Sequence, residues 1–380
     1  MKENREIIGF IRDVFKTDNF IPLHAPIFVG NEKKFLNECI DSTFVSSVGP
    51  FVDRFEKDLT KYSGTSHAVA VVNGTTGLQI ALQLVGVQNG DEVITQALSF
   101  VATSNSIHFA GASPVYVDVD YDTMGMSPRY LRYFLEKNAI IKENKCFNKS
   151  TGKRIGACMP MHTFGFPCRI DEISSICKEW FIPLIEDAAE ALGSEHKGQK
   201  IGSFGDLGVF SFNGNKIVTA GGGGVIVTND QNLAKRAKHL TTTAKIPHPY
   251  EFVHDELGYN FRMPNVNAAL ICAQLEEFDN FLKNKRELAE LYANYFQTNP
   301  LFRKEMKETK ANYWLNCIEF KNLKERNAFL EESNKVGVMC RPIWTLSYLL
   351  PMYKNCQKDL QENAIQLYER IVNIPSSVRI

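Results

Sequence analysis

The sequence predicts an α/β protein with a mainly parallel, doubly wound central sheet and a smaller α+β C-terminal part. Two observations carry this expectation. From about Tyr62 to Val227, short β-branched runs alternate with stretches of helical spacing, the pattern of successive strand–helix–strand units. After Asn267 the pattern changes to one long helical stretch, Ala268 to Gln297, with recurring Leu, Phe and Tyr and no glycine.

The elements follow in order. Glu6–Phe15 has apolar residues at helical spacing and forms a short amphipathic helix within an N-terminal piece, residues 1–20. Glu32–Asp41 is a second helix, ending in a loop at Ser42–Pro50. The strand-like runs are Val69–Val72, Glu92–Ile94, Ser113–Val117, Ala157–Met161, Pro183–Ile185, Gly208–Phe212 and Gly224–Val227. Lys142–Arg154, with its Lys, Asn and Gly, reads as a surface loop. A large domain is expected over residues 21–267. A bridging helix and small domain follow over 268–380, with Tyr313–Phe320 as a strand. There are no internal repeats and no low-complexity segment.

Composition narrows the function classes. The 380 residues carry 43 basic and 43 acidic side chains, so no basic field draws the chain to nucleic acid or an anionic membrane. No apolar run approaches the ~18 residues needed to cross a bilayer. The charged start lacks a secretory apolar region. Nine cysteines without a C-x-x-C pair suggest reduced thiols in a cytoplasmic protein, with no disulfide framework and no metal site.

Three segments carry chemistry. Lys216 is flanked by small residues (Gly214, Gly221–Gly224) and by apolar strand-like runs on both sides. Such surroundings disfavour a charged ammonium, and a lysine that sheds its proton near neutrality can form a Schiff base with an aldehyde. A solvated turn lysine is the plainer alternative. Upstream, the apolar run Phe181–Ile185 ends in Glu186 and Asp187, where a ligand meets the carboxyl ends of strands in an open α/β sheet. The two acids also suit a helix N-cap. Pyridoxal phosphate needs a lysine for its aldehyde and a carboxylate that keeps its pyridine nitrogen protonated, roles that suit Lys216 and Asp187. The third segment runs from the strand-like Ala68–Val72 through Asn73–Gly77 into a helical stretch. Strand, polar turn and helix place backbone N–H groups and threonine hydroxyls around an anion. The turn is neither a dinucleotide fingerprint nor a nucleoside-triphosphate loop.

These segments, in this order, resemble the DegT/DnrJ/StrS family of PLP-dependent sugar aminotransferases. The resemblance runs from Ile21 to Pro342 and includes Ile185–Gly193, Phe210–Lys216, Gly221–Gly224 and Gly258–Met263. It implies the type I, aspartate-aminotransferase-like fold. It also assigns roles to individual positions. Lys216 matches the Schiff-base lysine and Asp187 the partner of the pyridine nitrogen. Thr75, Thr76 and Ser211 match groups that hold the cofactor phosphate. Phe100 matches an aromatic ring stacked on the pyridine face, although plain core packing accounts for it equally. Glu190 stands near the ring, with its protonation left open by Asp187. Asn260 matches a residue that reaches the phosphate from a neighbouring subunit, which makes a homodimer with composite sites. His162 matches a strand-end position, where a structural histidine is the commoner occupant. Phe166 stands where relatives often have histidine.

By the same resemblance, an amino group passes from L-glutamate through pyridoxamine phosphate to a nucleotide-linked hexose, with Lys216 moving the proton in both halves. Ile40–Gly49, Arg341–Leu346 and Asn373–Val378 resemble enzymes that aminate C4 of a UDP-linked 2-acetamido-2,6-dideoxy-4-ketohexose, of the bacillosamine and legionaminic type. Arg341 then meets an anionic substrate group, or merely caps a helix. The alternatives are a GDP-linked 4-ketosugar, a dTDP-linked 3-ketosugar and, more distantly, a non-catalytic regulatory relative. Related dehydratases carry histidine in place of the Schiff-base lysine, so Lys216 argues against that chemistry.

Overall fold

The structure, a computed structural model, describes residues 3–379. Its centre is a sheet of seven strands: β1 (His67–Val71), β2 (Glu92–Gln96), β3 (Ser113–Val117), β4 (Ile155–Cys158), β5 (Ile185–Asp187), β6 (Leu207–Ser211) and β7 (Gly224–Thr228). The spatial order is β1-β7-β6-β5-β4-β2-β3. It is assembled from ladders on either side and parallel bridges Cys158–Leu184 and Met161–Asp187 in the middle. Strand β7 runs antiparallel to both its neighbours, and the other adjacent pairs are parallel.

Alternate residues of these strands serve two cores. Val69, Val71, Val93 and Ile226 pack into one, while Ala70, Ile94, Val225 and Val227 pack into the other. Burial on both faces explains why the strands read as unbroken apolar runs rather than as alternating ones. Adjacent helices cover the sheet, among them Gly74–Leu84, which packs on β6 and β7. Parallel strands put their carboxyl ends at one edge, so the ends of β5 and β6 and the turn after β1 meet there.

The C-terminal part has its own antiparallel sheet, in the order Leu301–Phe302, Asn316–Glu319, Ile371–Ile374, Arg341–Pro342. The N-terminal helix, Asn4–Phe15, lies against the helix Leu323–Lys335 of that part. No helix among the described residues is long and apolar enough to cross a membrane.

Several expected elements come out differently. The long helix is two, Asn265–Glu276 and Phe278–Tyr295, with Glu277 between them. Nothing in the residue pattern marks this junction, because Glu277 is neither glycine nor proline. The supposed loop at 142–154 contains half of a hairpin, Ala139–Lys142 paired with Lys145–Asn148. Its turn residues Glu143 and Asn144 take positive φ (49° and 55°), as a tight two-residue hairpin turn requires. The strand expected over Tyr313–Phe320 is confined to Asn316–Glu319. Pro50 starts a helix, Pro50–Ser63, rather than ending a loop. It stands in the first turn, where a missing N–H costs nothing.

One close approach fixes how β7 meets the turn after β1. A Cβ on Gly224 would lie 2.4 Å from the carbonyl carbon of Asn73 and 2.7 Å from the amide nitrogen of Gly74. Both are backbone atoms, so relief requires moving a strand or a helix start. Gly224→Ala is therefore expected to cost about 1–3 kcal/mol, read as a lower urea midpoint at an unchanged slope.

Candidate active site

At the carboxyl edge of the sheet lies a cavity of about 380 Å³, lined from seven separate stretches of chain. The volume suits a small ligand.

The turn after β1 forms one end. Asn73 is extended, and its side chain accepts a hydrogen bond from the Thr76 N–H at 2.9 Å, capping the helix Gly74–Leu84. Asn73, Gly74 and Thr75 line the cavity. First-turn N–H groups have no acceptor within their own helix, and the helix dipole adds positive potential there. Ser211, at the end of β6, faces the same space. It approaches so closely that a Cβ on Gly74 would lie 3.1 Å from its own. Such an end suits a phosphate. Thr76 points its hydroxyl back to the Asn73 carbonyl at 3.0 Å and is not part of the lining.

The acids form the other end. Asp187 closes β5 and is almost fully buried. One of its oxygens accepts from the Thr103 hydroxyl at 2.7 Å and the other from the Ala189 N–H at 3.2 Å. Burial raises its pKa, and these donors, with the charge of Lys216, oppose the rise. Glu190 is held by the Phe164 N–H at 2.9 Å, and burial pushes its carboxyl up to about 7. Lys216 comes from the loop after β6 and places Nζ 3.3 Å from Glu190 Oε1. Phe100, half exposed, stands at the start of the helix Val101–Phe109 and also lines the cavity, edge-on to Trp344 at 6.3 Å.

Thus Lys216, Asp187, Glu190, Thr75, Ser211 and Phe100 converge as the sequence led one to expect. Four other nominated residues do not. His162 is fully buried and absent from the lining. Its Nδ1 accepts from the Cys168 N–H at 3.3 Å, which leaves Nε2 to donate to Glu186 at 3.2 Å. These contacts hold the ring inside the protein. Arg341 is exposed and donates to Asn334 Oδ1 at 2.7 Å and to the Cys340 carbonyl, away from the cavity. Asn260 is exposed outside the lining of its own chain's cavity, and its side chain accepts from Arg262. Thr76 is the fourth. Phe166, where relatives often carry histidine, is buried against Tyr313.

Sequence reasoning missed Thr103, Met161, Trp314 and Trp344, all of which line the cavity. Thr103 could have been found as the polar residue one helical turn after Phe100. The two tryptophans carry no local signal, because an aromatic in an apolar segment reads as core.

An acid for a ring nitrogen, a lysine beside it and a phosphate cradle at the far end fit pyridoxal phosphate, and together they define an aminotransferase of that cofactor class. A profile of the DegT/DnrJ/EryC1/StrS aminotransferase family matches residues 27–380, and the chain belongs to this family. It is 36% identical to the GDP-perosamine synthase of Escherichia coli O157:H7, over 94% of this chain and 93% of that protein. Against the GDP-perosamine synthase of Vibrio cholerae it is 34% identical over 94% of each. Among solved structures, the aminotransferase TlmJ from Streptoalloteichus hindustanus superposes with a TM-score of 0.85 over 94% of each chain, at 26% identity.

The raised Glu190 carboxyl has a consequence for stability. Its folded pKa of about 7 lies above the ordinary 4.5, so the folded state holds the proton more tightly than the unfolded chain. Stability is then lost as pH rises from about 4.5 through 7. Cofactor-free Glu190→Gln is expected to exceed the parent protein's stability at pH 8 by on the order of 3 kcal/mol. The gap should close towards pH 4.5, as read by urea unfolding at both pH values.

Proposed function

We propose that this aminotransferase moves an amino group from L-glutamate to C4 of a nucleotide-linked 4-keto-6-deoxyhexose. The observation that carries the reading is the meeting of Lys216, Asp187 and the Asn73–Thr75 turn in one cavity. Bound pyridoxal phosphate supplies an aldehyde that carries the amino group and a ring that takes up the electron pair left on carbon. The protein's own groups do the rest. Asp187 holds a proton on the ring nitrogen, with Thr103 and the Ala189 N–H fixing its carboxylate. Gly74, Thr75 and Ser211 bind the phosphate and set the ring's position along the cavity. In each half of the cycle Lys216 Nζ would move a proton between the substrate carbon and the cofactor carbon that bears the amino group, in opposite directions in the two halves. Phe100 and Trp344 line the same cavity.

The GDP-linked substrate takes precedence over the UDP-linked one expected from sequence segments alone. It is supported by the two relatives named as GDP-perosamine synthases, which align over nearly their whole length. The proposed assembly is a homodimer: Asn260 lies exposed outside its own chain's cavity, its Oδ1 accepting from Arg262, and would serve a neighbour's site.

Three experiments test these assignments. A panel of GDP-, UDP- and dTDP-linked 4-ketosugars and 3-ketosugars, each with glutamate, is expected to give an amino sugar from the GDP-4-ketosugar, read by mass spectrometry. Lys216→Arg is expected to fold and yet lose turnover by at least about a thousandfold; retained turnover there removes the lysine from its role. For the shared site, Asn260→Ala is expected to release the cofactor faster on dialysis, with unchanged retention counting against the composite arrangement.

A further inference from the structure

Trp314 lies far from Lys216 in sequence, in the C-terminal part, yet its ring centroid is 3.7 Å from Lys216 Nζ. We propose that Trp314 is a positioning residue: with Glu190, its indole face sets where the free amine of Lys216 rests. This rests on the assignment of Lys216 as the proton carrier and adds to it a group from the other end of the chain.

The ring is held so that this face cannot turn away. Its Nε1–H donates to the Asn215 carbonyl at 2.7 Å, on the residue directly before Lys216, so the indole is tied to the backbone that carries the lysine. Its own N–H donates to Asn312 Oδ1 at 2.8 Å. The amide of Asn312 in turn donates to the carbonyls of Glu190 (2.8 Å) and Leu192 (2.9 Å). One buried amide therefore fixes both partners of the lysine, the tryptophan and the glutamate. The Trp314 carbonyl accepts from the fully buried Lys285 at 2.8 Å, which anchors the same residue from behind. Phe164 sits 6.4 Å away at 45°, and among the described residues no aromatic ring is stacked on the indole.

The physical consequence concerns the lysine between its two proton transfers. Four rotatable carbons give a free lysine many positions, and ordering them carries an entropic cost at each transfer. A cation over an indole face is attracted to it, more so when desolvated. Lys216 Nζ is thus held within reach of Glu190 and over Trp314, and less reorientation is needed when a proton must move.

The test compares the parent protein with Trp314→Phe, which keeps an aromatic face, and Trp314→Leu, which does not. Folding is checked by circular dichroism, and Trp314→Met replaces the Leu variant should that one fail to fold. Cofactor-free protein carrying ε-13C lysine is examined by NMR, with the Lys216 resonance identified through its loss in Lys216→Arg. The indole ring current is expected to move that resonance upfield in the parent and, less strongly, in Trp314→Phe, and to leave it at the ordinary lysine position in Trp314→Leu. In the half-reaction with glutamate, the Leu variant is expected to be slower by about tenfold, with KM changed less than about twofold. Trp314→Phe is expected to recover most of that loss. A parent resonance at the ordinary position, a Leu variant with the parent's rate, or a Phe variant as slow as Leu overturns the proposal. Borohydride trapping separates this from the underlying assignment: label found outside Lys216 in the parent protein refutes the proton-carrier role itself.

Discussion

The buried carboxylate of Glu186 is the constraint on which the site depends. It accepts from the backbone N–H groups of Gly202 (2.8 Å), Phe204 (2.7 Å) and Gly205 (2.9 Å), and from His162 Nε2. A fully buried acid would be costly without such donors, and hydrogen bonds to a charged group contribute about 1.5–3 kcal/mol each. Strand β5 is only three residues long, too short to be aligned by its ladder alone. Glu186 and Asp187 are consecutive on it, so their side chains leave the sheet on opposite faces. Fixing Glu186 to the 202–205 loop on one face therefore aims Asp187 into the cavity on the other. His162 is one of the donors of this anchor and stands outside the cavity lining.

That division explains what was legible in the sequence. The parallel strands announce themselves because burial on both faces demands unbroken apolar residues, and the ladders fall on or beside every expected run. Polar residues at the ends of such runs stand out against their neighbours, which is how Asp187, Lys216 and Thr75 are recognisable. The same logic cannot separate Asp187 from His162, because both follow buried strands. Facing into the cavity or into the protein is a matter of one residue of register, and only the folded chain decides it. Arg341 shows a related limit. A charged residue beside a matching segment looks like a substrate contact until its guanidinium is found paired with Asn334.

What remained hidden comes from long-range assembly. Trp314 reaches Lys216 through a hydrogen-bonded route by way of Asn312, none of which has a sequence spacing to betray it. The junction at Glu277 is hidden for the opposite reason, since a continuous helical pattern runs through it. Two helices pack in different directions there, Asn265–Glu276 against Pro50–Ser63 and Glu32–Asp41, and Phe278–Tyr295 towards the C-terminal part. Tertiary packing, not local propensity, sets the break.

The cavity is also sorted by charge. At one end a helix start presents N–H groups and positive potential, with no acidic side chain in its lining. At the other, two buried acids face a single lysine, an excess of one negative charge when all three are ionised. Burial raises the pKa of both acids, so the protein alone does not satisfy them. A ligand with an anionic group at one end and a protonated ring nitrogen at the other completes both halves at once. The cation would favour ionised Asp187, and the carboxylate would in turn keep the ring nitrogen protonated. Bound the other way round, the same molecule would set its phosphate against two carboxylates. Polarity would thus orient the cofactor before any specific contact forms, and the lysine lies beside Glu190, whose carboxyl burial pushes up to about 7.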